Sequence, residues 1–320
     1  MKITNKWKAI LFLGGFFLLL YMLSLLFLPV NSMADGLYKK GNGIRTEPDR
    51  TIDCVFLGDS ECSTSISPME LYQTYGIASY NCGVPAQKLQ DTYYLLKQVL
   101  TKQSPTVVVL ETNAFFRSFE PIQTLDHAID EKAKKVFPLY KYHNNWKYFH
   151  TYLLERQSQK KSHIANGTFK GFTYNTTSKP YRNGSYVVKT DLVETIEDQP
   201  MYYLNKITSL CANQGITLIL YSAPSPKCWS YAKHNAINEY AKSNHLPYLD
   251  ENLSLNEISI DWMTDSRDEG DHLNFYGAKK VTKFLGRYLK EHTTLPDRRE
   301  DAQYHNWNVE LDHYRSIIKK

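Results

Sequence analysis

A chain of 320 residues with 42% hydrophobic and 22% charged residues carries enough apolar side chain for a large core, which excludes wholesale disorder. Its net charge of +5 is mild, and no run of clustered Lys and Arg supports a nucleic-acid-binding surface. A mild positive excess instead suits an anionic envelope polymer or lipid headgroups.

Lys2, Lys6 and Lys8 precede an uncharged apolar run from Ala9 to Val30. At about 1.5 Å per helical residue this run reaches roughly 33 Å, enough to cross a bilayer core. It has no polar face, which argues against a core helix of a water-soluble domain. Ser32-Met33-Ala34 resembles a signal-peptidase site, but the apolar run exceeds the usual h-region of about 7–15 residues. The expectation is an uncleaved signal anchor rather than a cleaved, secreted form. The short basic leader places the N-terminus inside and the bulk of the chain outside, although Lys39, Lys40 and Arg45 vote the other way. The expected organisation is a leader and transmembrane anchor over residues 1–30 and a polar, Gly-containing linker over 31–50. A folded domain over 51–293 and a charged tail over 294–320 complete it.

Ile52 to Leu57 reads as a buried strand ending at Gly58. Ser67-Pro68 opens a helix, and Ile77 to Asn81 is a short second strand. Residues 86–103 carry Leu89, Tyr93, Leu96, Val99 and Leu100 at helical spacing. Thr106 to Leu110 is a β-branched central strand. Met201 to Asn213 is helical and stops at Gly215; Thr217 to Tyr221 is another buried strand. Trp229 to Ser243 is helical, Pro247 to Leu249 a short strand, and Phe275 to Glu291 a closing amphipathic helix. Strands alternating with helices imply a parallel sheet covered on both faces, with chemistry at the carboxyl ends of the strands. Residues 115–199 break the alternation and are rich in aromatics and His, as in Tyr140 to Trp146. They read either as an insertion over the site or as a second packing layer.

Five cysteines, Cys54, Cys62, Cys82, Cys211 and Cys228, include no C-x-x-C pair, so the usual zinc and redox spacings are absent. Cys54 and Cys211 sit in apolar segments and read as small core residues.

Gly58-Asp59-Ser60 follows the first strand and precedes a helix, so the Ser60 hydroxyl lies at the sheet's carboxyl edge and its N–H near a helix start. Alone, the tripeptide equally describes a cap. Asp271-His272-Leu273-Asn274 opens the last helix, behind the acidic run Asp265 to Asp271. A histidine there can take a proton from Ser60, oriented by a nearby carboxylate. The EF-hand ligand spacing is missing from that run. Gly83 follows the second strand and Asn113 the third. The N–H groups of Ser60 and Gly83 and the Asn113 amide make three candidate oxyanion donors.

Serine after the first strand, glycine after the second, asparagine after the third and histidine before the final helix, in that order, resemble the four blocks of the SGNH (GDSL-like) hydrolase superfamily over roughly residues 51–291. The resemblance implies a flavodoxin-like three-layer α/β/α fold and Ser–His–Asp acyl chemistry that uses no cofactor or metal. The catalytic residues it implies are Ser60, His272 and an acid, with Ser60, Gly83 and Asn113 as the oxyanion hole. The third block departs from Gly-x-Asn-Asp, with Glu111 and Ala114 in place of its first and last residues. In the final block the family's acid position holds Glu269, flanked by Asp268 and Asp271. Asp268 is favoured because Asp271 is adjacent to His272 and less able to reach Nδ1. The anchor and the Asp-His-Leu-Asn segment further resemble envelope proteins of the DltD and AlgJ/AlgX type. That implies an envelope polymer or other acylated substrate and a partner membrane-bound O-acyltransferase. The alternative is a non-catalytic module of the same fold that binds a glycan or polyanion through residues 115–199.

Overall fold

The computed structural model describes residues 5–26, 41–118 and 168–319. The Ser32–Ala34 motif, the first half of the expected linker, and the aromatic-rich part of residues 115–199 lie outside them. Helix α1, Asn5–Leu26, stands in one of two compact units. Its apolar side chains, such as Phe12, Phe17 and Leu18, are exposed, and it is long and apolar enough to cross a membrane.

The second unit is built on five parallel strands: β1 (Cys54–Leu57), β2 (Ser79–Asn81), β3 (Val107–Glu111), β4 (Thr217–Ser222) and β5 (Tyr248–Asp250). Their order is β2-β1-β3-β4-β5, the flavodoxin-like arrangement. Cys54, Phe56, Val107, Val109, Ile219 and Tyr221 share one sheet face by the two-residue strand period. They pack with Cys62 of α2 (Ser60–Ser65), Leu71 of α3 (Pro68–Tyr75) and Leu285 and Leu289 of a late helix. The alternate residues Val55, Leu57, Val108, Leu110, Leu218 and Leu220 are also buried. They face the other layer, where α4 (Leu89–Val99) packs against α5 (Asp198–Asn213). The remaining helices are α6 (Tyr231–Ser243), α7 (Phe275–His292), which carries Leu285 and Leu289, and α8 (His305–Ile318). The chain is thus a three-layer α/β/α sandwich. Because β1 connects outward to β2 while β3 lies on its other side, a crevice forms at the carboxyl ends of β1 and β3.

Two expectations change. The C-terminal segment is more than a charged tail: Trp307, Leu311 and Tyr314, spaced along one stripe of α8, are buried. The Tyr314 hydroxyl donates to Glu70 Oε1 at 2.9 Å, and Arg298 forks onto Asp53 at 2.8 and 2.9 Å. Ordered structure also begins before residue 51, since Ile44 and Glu47 are already buried. The Glu47 carboxylate meets Lys170 Nζ at 2.8 and 2.9 Å, and Lys170 also pairs with Glu310 of α8. The same ammonium lies 4.4 Å from the Trp307 ring centroid. Burial pushes the Glu47 carboxyl up, and Lys170 opposes that.

Residues 168–197 form no helix or strand, yet their backbone is tied to both sides of the crevice. Thr173 N donates to Ser63 O of α2 at 2.8 Å. Lys179 N donates to Ser266 O, and Phe275 N donates to Asn175 O. This strap fixes α2 relative to the loop before α7, which positions the two halves of the site.

Beyond β5, Glu251 is fully buried; Tyr221 donates to its Oε2 at 2.8 Å while Oε1 has no partner. Burial pushes this carboxyl well above its ordinary 4.5. The folded chain therefore holds a proton that the unfolded chain releases, and its stabilising effect fades as pH rises from 4.5 toward the raised value. Glu251→Gln keeps an acceptor for Tyr221 and removes the titration. The expected result is a smaller fall in Tm between about pH 5 and about pH 8 than in the wild type, read by thermal melts.

Candidate active site

β1 ends at Leu57, and Gly58 turns the chain with φ 151°. A Cβ there would come within 2.6 Å of Glu111 Cβ and 2.9 Å of Cys62 Cβ, so β1 and β3 close together only around a glycine. Asp59 caps α2: its Oδ1 accepts from Glu61 N at 2.9 Å. Its Oδ2 accepts from Asn113 Nδ2 at 2.9 Å and from Arg117 Nε at 2.8 Å. Asp59 is thus a wholly buried anion neutralised by a half-buried guanidinium, and it locks the β1 turn to the β3 turn. Ser60 is the first residue of α2 and is partly exposed.

His272 arrives from the other side of the crevice in a loop organised by its own acids. Ser266 Oγ accepts from Gly270 N at 2.7 Å. Asp268 Oδ1 accepts from His272 N at 2.6 Å, and Asp268 Oδ2 lies 2.6 Å from His272 Nδ1. Burial opposes the Asp268 charge, but the backbone and ring hydrogen bonds from His272, together with Arg267, hold this carboxyl below its ordinary 3.8. Asp271 Oδ2 is 3.7 Å from Nδ1 and so beyond hydrogen-bond length. Glu269 is exposed, in the left-handed region at φ 64°, with its N–H bound to Lys179 O. Of the three candidate acids, Asp268 is the one bonded to His272.

The other ring nitrogen, Nε2, points back toward α2, 3.9 Å from Glu61 Oε1. His272 thus faces the start of α2 through Glu61, the residue after Ser60, and no direct Ser60 Oγ–His272 hydrogen bond is formed among the described residues. Gly83 packs where a Cβ would meet Ser63 N at 2.7 Å and Asp59 O at 2.9 Å. Its N–H donates to Asn81 Oδ1 at 2.9 Å. Asn113 Nδ2 retains one N–H beyond the bond to Asp59. The expected oxyanion donors thus gather near Ser60, with the Gly83 N–H already engaged inside the protein.

Several polar residues here carry no signal in the sequence. Asp59 and Arg117 are far apart in the chain. Glu61 is 1% exposed; its Oε1 accepts from Ser225 Oγ at 3.4 Å and its Oε2 has no partner. Burial, then the neighbouring charges of Asp59 and Glu111, push the Glu61 carboxyl well above its ordinary value. Glu111 behaves likewise, raised by burial and by Asp59. A small open cleft lies beside them, lined by Glu61, Glu111, Asn113, Phe116, Cys228 and Lys233. All five cysteines are free.

No family model matches the chain, and neither does any curated protein. Solved structures similar to it include a protein from Bacteroides fragilis provisionally assigned as an acylhydrolase. It is 12% identical, with a TM-score of 0.41 over 81% of this chain and 96% of that one. A lipase/acylhydrolase from Enterococcus faecalis is 13% identical, with a TM-score of 0.38 over 77% and 99%. A GDSL-like lipase from Bacteroides thetaiotaomicron is also 13% identical, with a TM-score of 0.38 over 74% and 87%. These are likenesses at low identity and low TM-score, and they assign this chain no activity.

Proposed function

We propose that the chain is an SGNH-type serine esterase or O-acyltransferase, held at the cell membrane by α1 with its α/β unit outside the cytoplasm. The observation that carries this reading is the Asp268–His272 pair, bonded at 2.6 Å, with Nε2 presented to the start of α2. A carboxylate on Nδ1 fixes the tautomer that leaves Nε2 free to accept a proton. In this reading Ser60, the residue before Glu61 at the start of α2, supplies the hydroxyl whose proton Nε2 takes. Ser60 Oγ then attacks an ester carbonyl as its proton passes to His272. The leaving alcohol takes that proton, and water or an acceptor hydroxyl resolves the acyl-enzyme. Ser60 N–H and the spare Asn113 N–H stabilise the oxyanion, joined by Gly83 N–H when Asn81 yields it.

The substrate class follows from placement. A membrane tether and a mildly basic chain suit an ester-linked acyl group on an anionic envelope polymer, with a membrane-bound O-acyltransferase as partner. A fluorophosphonate probe tests the chemistry. It is expected to label the wild type and spare Ser60→Ala; equal labelling of the two would remove Ser60 as the nucleophile.

The internally bonded Gly83 N–H favours a second reading, a non-catalytic envelope module that binds a glycan or polyanion. In that case Ser60→Ala and His272→Ala leave the cellular phenotype intact, while deletion of residues 119–167 abolishes it.

A further inference from the structure

The Glu61 carboxyl has no role in a serine relay, yet it is 1% exposed and aimed at His272, with Oε1 3.9 Å from Nε2 and Oε2 unpartnered. Asp271 supplies a second carboxylate. One donor atom each from Glu61, Asp271 and His272 lie within 4.8 Å of one another. The Cys228 thiol donates to Asp271 Oδ1 at 3.2 Å, at the edge of the same group. Asp268 holds Nδ1, so Nε2 keeps its lone pair, the same outer carboxylate that orients a metal-binding histidine. Ligand atoms around a tetrahedral zinc at about 2.0–2.3 Å lie roughly 3.3–3.7 Å apart. Binding would draw the donor atoms in from their present spacing of up to 4.8 Å. Imidazole, carboxylate and thiol together suit zinc-class cations, whereas Mg²⁺ and Ca²⁺ take oxygen ligands.

We propose that Glu61, Asp271 and His272, with Cys228 as fourth donor, bind one divalent cation of the zinc class, and that the ion blocks Nε2 from receiving the Ser60 proton. Cys228 binds as thiolate and Glu61 as carboxylate, and each releases the proton it holds to solvent. The blocking half rests on the proposed serine chemistry; the binding half does not.

The test uses the full chain in detergent, stripped with chelator and equilibrated with zinc chloride by dialysis. One zinc per chain is expected, with affinity about tenfold or more weaker in Glu61→Gln and Asp271→Asn. Absent binding, or binding equal in the variants, overturns the site. Cobalt(II) in the wild type should give a four-coordinate visible spectrum with a thiolate band that Cys228→Ser removes. The spectrum of six-coordinate hydrated cobalt overturns the site even if the variants fail to fold. Saturating zinc should slow fluorophosphonate labelling about tenfold, reversibly with chelator; undiminished labelling of zinc-bound protein overturns the block. If Ser60 takes no label even without zinc, the serine reading falls, and dialysis and cobalt still decide the metal site.

Discussion

Ser60→Ala is expected to lower ester hydrolysis by about 10⁴-fold, measured as kcat/KM on a short-chain aryl ester. Without its nucleophile the site retains only binding and oxyanion stabilisation, and triad members act as a unit. Asp268→Asn should approach the same loss, about 10³–10⁴-fold. The amide cannot hold Nδ1–H as the carboxylate does, and the wrong tautomer leaves Nε2 protonated. Glu269→Gln should leave the rate unchanged, because that exposed side chain makes no bond to His272. A large loss in Glu269→Gln with little in Asp268→Asn would reverse the acid assignment.

Lys170→Ala is expected to destabilise the α/β unit by about 3–5 kcal/mol, the usual cost of leaving a buried charge without its partner. Lys170 and Glu47 have side chains only 2% and 6% exposed, and the Lys170 ammonium also serves Glu310 and the Trp307 ring. Its removal loosens three distant segments at once: the chain before β1, the start of the strap, and α8. Thermal melts should show a Tm lower by roughly 10 °C. The double variant Lys170→Met with Glu47→Leu should recover much of the loss, because it removes both desolvated charges together. A single variant as stable as the wild type would show that the clamp is not a stability element.

The elements that position the site were legible from periodicity and β-branching. Val107 to Leu110 and Leu218 to Tyr221 are buried on both faces, so they read as continuous apolar runs. Ser60, Gly83 and Asn113 follow β1, β2 and β3, which in a parallel sheet end at one edge, and His272 comes to that edge from the loop before α7. The preference for Asp268 over Asp271 also followed from reach, because an adjacent residue's carboxylate bends poorly back to Nδ1. The rest depends on partners that no local pattern encodes. Asp59 draws Arg117 and Asn113 from across the crevice, and Lys170 draws Glu47 and Glu310 from opposite ends of the unit. The strap has no period because its backbone bonds go to distant loops rather than to a neighbouring turn or strand. In α8 the stripe Trp307, Leu311, Tyr314 has helical spacing, but its surrounding charges gave it the look of a solvated tail.

Trapping the acyl-enzyme tests the central claim most directly. The full chain is mixed briefly with an excess of a nitrophenyl ester, quenched in acid, digested and mapped by tandem mass spectrometry. The account predicts one acyl group, carried on Ser60, accumulating in the wild type and absent from Ser60→Ala and His272→Ala. An acyl group mapped to another residue, or none in wild-type protein that turns the ester over, would contradict it.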